Sequence, residues 1–294
     1  MTGARKPPLD MGKIDPLLPP SMAQACEAAG VAKAARDAIT LLSLGLLAGA
    51  FIAFGAIFMT VVLTGSSDLP WGVARLLGGL AFTLGLIMVI VSGAELFTGD
   101  TLMVVAYASR RITLQAMLRA WFFVYVGNIV GALGTAALMI LAGQYGLADG
   151  AVGQSALDIA TLKAALPAVQ VFFLGVLCNV LVCLAVWMSY GARSVTDKVL
   201  VAVPPVAAFV AAGFEHSIAN LYILPYALAV KTFAGADFWA AIGQSAANYA
   251  ALTVGNVIHN IIFATAGNLV GGTLLVGTMY WFVYLRPGAA PVVK

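Results

Sequence analysis

Glu95 lies in G-A-E-L-F-T-G-D, Gly93 to Asp100, and Glu215 and His216 lie in G-F-E-H-S-I-A-N, Gly213 to Asn220. In each motif a glycine stands two residues ahead of the glutamate, inside a stretch otherwise apolar enough to cross a bilayer. Ionisable groups at that depth cost energy and mark a pathway or a relay more often than packing. Histidine changes charge between about pH 5 and 8 when unperturbed, and the neutral ring still donates one hydrogen bond. His216 can therefore offer a donor to an anion, or pass a proton to the anion of a weak acid. Two such interruptions, one in each half of the chain, predict two broken helices meeting at one central site. That is the plan of a membrane channel or transporter.

Enzyme chemistry finds little support. Ser217 adjoins His216, but neighbours on one backbone rarely face each other productively, and there is no H-E-x-x-H or G-x-S-G motif. Cys26, Cys178 and Cys183 lack metal-ligand or redox spacing, and the last two read as packing residues of an apolar span. The sequence thus implies no catalytic residue, no metal and no cofactor. A net charge of +3 on 294 residues gives no sign of nucleic-acid binding.

The elements that must position these residues are transmembrane. Hydrophobic residues make up 62% of the chain, charged residues 9%, and the mean hydropathy is +1.00. A water-soluble fold of this length could not bury that much apolar surface, so the solvent is lipid. Six spans are predicted, near Ile39–Leu63, Trp71–Tyr107, Gln115–Leu141, Lys163–Tyr190, Val199–Val230 and Val254–Leu285. The second and fifth are too long for one straight helix, and each holds one of the two motifs. Unwound chain at that depth is tolerated where it lines a cavity or is buried in protein.

Basic residues set the orientation. Arg5, Lys6, Lys13, Lys33, Arg36, Arg110, Arg111, Arg119, Arg193, Lys198, Arg286 and Lys294 fall on one side, against Arg75, Lys163 and Lys231 on the other. The positive-inside rule puts both termini in the cytoplasm. No cleavable signal peptide is read at the N-terminus. Residues 1–37 form a cytoplasmic segment with a short amphipathic helix over Met22–Ala35, residues 38–286 the membrane domain, and 287–294 a cytoplasmic tail. The amphipathic helix either tucks against the bundle or serves in gating or partner docking.

A repeat extends beyond the glutamate motifs. Span three carries G-N-I-V-G-A from Gly127, and span six carries G-N-L-V-G-G from Gly267. Each half reads straight helix, broken helix, then G-N-x-x-G helix, and three spans per half make the second copy inverted. The pairs Gly45/Gly49, Gly127/Gly131 and Gly267/Gly271 predict close helix packing. Asn128 and Asn268 are placed to hydrogen-bond the freed backbone of the breaks. Glu95 and Glu215 read as structural braces that accept from exposed N–H groups, as an N-cap does. His259 reads as structural, and Arg75 as snorkelling outward at the start of span two.

These motifs resemble the formate/nitrite transporter family, and in detail its formate-channel branch. The likeness starts at L-L-P-P-S-M-A with E-A-A-G-V-A-K-A, Leu17 to Ala34. It continues through L-F-T-G, C-N-V-L-V-C-L-A-V-W-M-S-Y, R-S-V-T-D-K, G-F-E-H-S-I-A-N and G-N-L-V-G-G. The resemblance implies an all-α polytopic protein with an aquaporin-like protomer of six spans, a homopentamer, and one pore per protomer in a bacterial inner membrane. Its implied cargo is small monovalent anions, formate first, then nitrite or hydrosulfide, with acetate and lactate conceivable.

Carried over by position, the resemblance makes His216 the central polar group, with Thr98, Asn179 and Asn220 on the pore. Constrictions fall to Phe82, Leu86, Leu96, Phe97, Val182 and Phe209, as apolar rings that sieve by dewetting. Lys163 near the outer vestibule either attracts anions or caps its span at the interface. The chain departs from the branch pattern at Gly99-Asp100, where small uncharged residues are usual.

Overall fold

Pro19 and Pro20 fit the first turn of a helix because proline has no N–H to leave unpaired there. They open α1, Pro19–Ala35. The structure, a computed structural model, describes residues 16–287, so Arg5, Lys6, Lys13 and Lys294 lie outside the described residues, as does the expected tail beyond 287. Asp37 then caps α2, Ala38–Leu63, by accepting from the Thr40 hydroxyl and N–H, which hold its carboxyl below the usual range. The described residues are helical, with short connections.

The second predicted span is α3, Trp71–Ser92, followed by a non-helical link and then α4, Phe97–Asp100, a tight 3₁₀ turn over 101–103, and α5, Val104–Ala108. Gly93 ends α3 with φ +77°, a left-handed conformation open to glycine at little cost. The third span is α6, Leu114–Leu141. The fifth divides into α9, Val195–Ala211, and α10, Ser217–Phe233, with Gly213 at φ +75° between them. At 17 residues each, neither reaches the roughly 20 that a hydrocarbon core requires, and they share the crossing. The first break is less even, because α3 alone has 22 residues.

The fourth predicted span needs correction. Lys163 belongs to a separate helix, α7, Ala151–Ala164, and the span itself is α8, Ala168–Gly191. Pro167 separates them: proline disfavours helical geometry in the residue before it, so a new helix starts behind it. Two further features were not expected. Short helix α11, Ala236–Ile242, bends 108° away from α10. The last span passes from α12, Val254–Val270, through a π-helical stretch, Gly271–Thr278, into α13, Met279–Tyr284.

Helices α2, α3, α6, α8 and the run from Ala246 to Tyr284 are each long and apolar enough to cross a membrane. Phe54, Phe58, Leu80, Leu84 and Leu133 are exposed on the isolated chain, as lipid or partner subunits require. Inside, the two halves pack alike. A Cβ on Gly127 would strike the Leu42 carbonyl and one on Gly131 the Leu46 carbonyl; in the other half Gly267 meets Phe172 and Gly271 meets Val176 in the same way. These are backbone atoms on a neighbouring helix, so no rotamer change relieves the clash.

Gly267→Ala is therefore expected to lower stability in detergent by about 1–3 kcal/mol, read as a lower thermal midpoint. Gly134→Ala on α6, where a Cβ meets nothing within 4 Å, should leave the midpoint level or raise it. Equal effects at the two positions would contradict this packing.

Candidate functional site

Each helix break frees peptide groups where water is scarce, and one asparagine per half holds them. The Phe97 N–H donates to Asn128 Oδ1 at 3.0 Å, while Asn128 Nδ2 donates to the carbonyls of Gly45 at 2.7 Å and Glu95 at 3.0 Å. In the second half the Ser217 N–H donates to Asn268 Oδ1 at 2.9 Å, and Asn268 Nδ2 donates to Gly175 at 2.7 Å and Glu215 at 2.9 Å. The Glu95 N–H reaches the Leu44 carbonyl at 3.2 Å, and the Glu215 N–H the Leu174 carbonyl at 3.3 Å. Both asparagines are completely buried. An amide suits the place because it accepts and donates at once.

The two glutamates do something other than cap. Lys33 Nζ, from α1, donates to Glu95 Oε2 at 2.6 Å and also to Asp100 Oδ1, while Arg36 pairs with Glu95 Oε1. Lys163 Nζ, from α7, donates to Glu215 Oε1 at 2.8 Å. Glu215 Oε2 accepts from Asn220 Nδ2 at 2.6 Å and Asn260 Nδ2 at 3.1 Å. The expected acceptor role towards half-helix N–H groups thus belongs to the asparagines, and the carboxylates bind a neighbouring helix by ion pairs. Lys163 is engaged at the second break and does not cap α8. Burial opposes the charge on Lys33, but the charge and hydrogen bond of Asp100 together with Tyr190 outweigh it and hold the ammonium above the usual lysine range.

The two breaks touch at their tips. Thr98 Oγ1 lies 3.1 Å from His216 Nε2, and both side chains are buried. His216 is the N-cap of α10, and its Nδ1 accepts the Ala219 N–H at 3.1 Å. A nitrogen that accepts carries no proton, so the neutral ring holds its proton on Nε2, facing Thr98. The Thr98 hydroxyl accepts that bond and keeps its own hydrogen to give elsewhere. The Thr98 carbonyl accepts from Asn179 Nδ2 at 3.1 Å and from the Thr101 hydroxyl at 2.7 Å, which anchors the first tip to α8. Gly272 lets the π-helical stretch approach here, because a Cβ would fall on Thr101 Oγ1 and Asn179 Nδ2.

Two cavities adjoin this contact: His216 lines one, while Thr98 lines neither and its neighbours Leu96 and Gly99 line the other. One, of about 340 Å³, is lined by Arg75, Phe82, Lys163, Phe209, His216 and Asn220, among others. The other, of about 250 Å³, is lined by Lys33, Arg36, Leu86, Glu95, Leu96 and Asp100, with Tyr190 and Lys198. No residue lines both. Phe82 and Leu86 occupy successive turns of α3 and face different cavities. Phe82 meets Phe209 edge-on at 5.8 Å, and Phe209 stacks on the His216 ring at 5.8 Å. Val182 and Phe97 line neither cavity. Val182 is buried in α8, and the Phe97 ring packs on α6 against Tyr125 at 4.8 Å and Trp121 at 6.2 Å.

A family model for the formate/nitrite transporter matches residues 20–282. The chain belongs to the formate/nitrite transporter family. Within the family it is 46% identical over 274 residues to "Formate channel FocA" of Escherichia coli (strain K12), covering 93% of this chain and 96% of that protein. A solved "Pentameric formate channel with formate bound" superposes with a TM-score of 0.81 at 46% identity, covering 85% of this chain and 98% of the other. A solved "FNT family ion channel" does so with a TM-score of 0.74 at 28% identity, covering 89% and 98%.

Several residues of this family member's site escaped the sequence reading. In the sequence Lys33 and Arg36 read only as orientation charges, Asn260 carries no signal of its own, and Arg75 reads as pointing outward. A signal for Lys33 existed: K-A-A occurs at Lys33 and again at Lys163, each equally far ahead of Gly45 and Gly175. Arg75 instead donates from Nε to the Ala211 carbonyl at 3.0 Å and from Nη2 to the Val210 carbonyl at 2.7 Å, closing the C-terminal end of α9. His259 has its ring against Phe263 at 4.9 Å and lines neither cavity.

Asn268→Ala strips partners from the Ser217 N–H and from the carbonyls of Gly175 and Glu215. At about 1–3 kcal/mol for each unpaired buried group, stable assembly should be lost, as judged by size-exclusion profile and thermal midpoint. Asp100→Asn leaves Lys33 and Arg36 sharing Glu95 alone. Amide exchange over α1 should then quicken on the order of tenfold, because that cluster is among the contacts that hold α1 to the bundle; unchanged exchange would show that Asp100 does not secure α1.

Proposed function

We propose that this protein is a channel for small monovalent anions, formate foremost, and that the anion passes the Thr98–His216 pair between the two cavities. The observation that carries this reading is that pair: two neutral donors at the junction of two helix breaks, with two separate cavities adjoining it. Neutral donors suit the task because a pore must replace part of the ion's hydration without binding it so tightly that it stays. A fixed positive charge at the narrowest point would trap the ion. A fixed carboxylate would repel it, and both break glutamates are turned away into ion pairs.

The rings of Phe82 and Phe209 and the side chains of Leu86 and Leu96 act as apolar sieves next to the pair, excluding hydrated cations. Nitrite and hydrosulfide share the size and charge of formate and fit the same path, while acetate and lactate need a wider passage. Proton linkage runs through the His216 ring. To protonate a weak-acid anion the ring must first take a second proton at Nδ1, which displaces the Ala219 N–H. The proton step is thereby tied to loosening the first turn of α10. Five copies form the working assembly, as in the formate-bound channel it resembles. The bias of basic residues supports both termini, and α1, on the cytoplasmic side of the inner membrane. A cytoplasmic partner would meet α1 there.

Proteoliposomes of the pure protein should release labelled formate far faster than bare lipid. His216→Phe keeps a ring against Phe209 but removes both nitrogens, and is expected to abolish the dependence of formate flux on pH. Flux and pH profile equal to wild type would reject the histidine's role, and no flux in wild type would reject the channel reading.

A further inference from the structure

The first cavity contains two cations, Lys163 and Arg75, and one acid, Glu215. Their charges are not equally available. Lys163 is held by Glu215, and both oxygens of that carboxylate are fully engaged by Lys163, Asn220 and Asn260. An anion arriving in the cavity meets, at the second break, a neutralised pair. Arg75 forms no ion pair among the described residues. Its partners are the carbonyls of Val210 and Ala211, which orient the guanidinium without cancelling its charge.

We infer that Arg75 is the anion-collecting residue of the first cavity, a fixed guanidinium that binds a carboxylate before it reaches His216. This rests on the channel reading above and assigns to Arg75 the attraction that the sequence suggested for Lys163. Arginine has five N–H donors in a rigid fork. With Nε and one Nη2 hydrogen committed to α9, the Nη1 edge remains for a ligand. The docking is built into the chain. Gly213 of the second motif leaves room for it, since a Cβ there would lie 3.3 Å from Arg75 Nη2. Trp71 stands beneath the guanidinium, 5.9 Å from its ring centre, on the same cavity wall. Gly213 is three residues before His216, so the collecting charge and the central donor are fixed to the two ends of one short unwound segment. The charge stands back from the narrowest point, where it concentrates anions without holding them in the constriction.

The test uses the whole protein in planar bilayers, with sodium formate added to one face at a time. Wild-type conduction establishes the channel first, so its absence would count against that reading and not against this one. Arg75→Gln retains donors for the α9 carbonyls but loses the charge. It is expected to raise the half-saturating formate concentration about three- to tenfold from one face only, with maximal conductance changed less than twofold. Arg75→Lys keeps the charge without the fork and should recover most of the affinity lost in Arg75→Gln. A general defect in helix packing would act from both faces and would not be rescued by lysine. Should Arg75→Gln fail to assemble, wild type decides: raising ionic strength with a non-permeating salt must weaken formate affinity more from the face of the first cavity. Unchanged half-saturation in Arg75→Gln, equal effects from both faces, or a lysine variant that behaves like glutamine would each overturn the inference.

Discussion

A peptide group released from a helix inside hydrocarbon has no water to turn to, and leaving it unpaired costs several kcal/mol. That constraint governs this molecule. Two helices are interrupted at Gly93 and Gly213, and freed groups are taken up by Asn128 and Asn268, each holding one N–H and one carbonyl of its break together with one carbonyl of a neighbouring helix. The asparagines can reach only because Gly45, Gly127, Gly175 and Gly267 let helix backbones approach within what a methyl group would forbid. Small residues, a polar clamp and an unwound segment therefore form one device, used twice. The Thr98–His216 contact is what the device holds in place.

The same logic explains the charges. A carboxylate buried as deeply as Glu95 or Glu215 needs a partner, and each finds a lysine on a helix outside its own span, Lys33 on α1 and Lys163 on α7. α1 and α7 are thus equivalent members of the two repeats, although one lies ahead of the first span and the other within a connection. The repeats part company at Asp100 and Asn220. Asn220 gives Glu215 a neutral amide, whereas Asp100 adds a second acid and takes Lys33 as well, with Arg36 present to balance it. The two breaks are therefore built from the same plan with different charges. The first break is bound to α1 and its C-terminal end by four charged side chains, Lys33, Arg36, Glu95 and Asp100.

Neutrality at the centre follows from the capping of α10. Because His216 Nδ1 is occupied by the Ala219 N–H, the ring presents Nε2–H to Thr98, and the contact between the two breaks carries no fixed charge. Charged side chains instead line the cavities, Arg75, Lys163 and Glu215 in one and Lys33, Arg36, Glu95, Asp100 and Lys198 in the other.

Much of this was written in the residues themselves. A mean hydropathy of +1.00 leaves lipid as the only solvent, and glycines two residues ahead of Glu95 and Glu215 mark the breaks because a left-handed φ is the cheapest way to end a helix there. The recurrence of G-N-x-x-G located both clamping asparagines, since their spacing from close-packing glycines is local. What the residues could not say is which partner each buried charge would meet. Lys33 and Glu95 are far apart along the chain, as are Arg75 and Ala211, and no periodicity links them. Only the packing of α1, α3, α7 and α9 around the breaks decided that the glutamates would bind lysines while asparagines held the backbone. The same packing turned Arg75 inward to the end of α9. Local pattern determines where a helix must stop, because that depends on one residue's backbone freedom; which side chain then fills the gap depends on distances between helices, which exist only once the chain is folded.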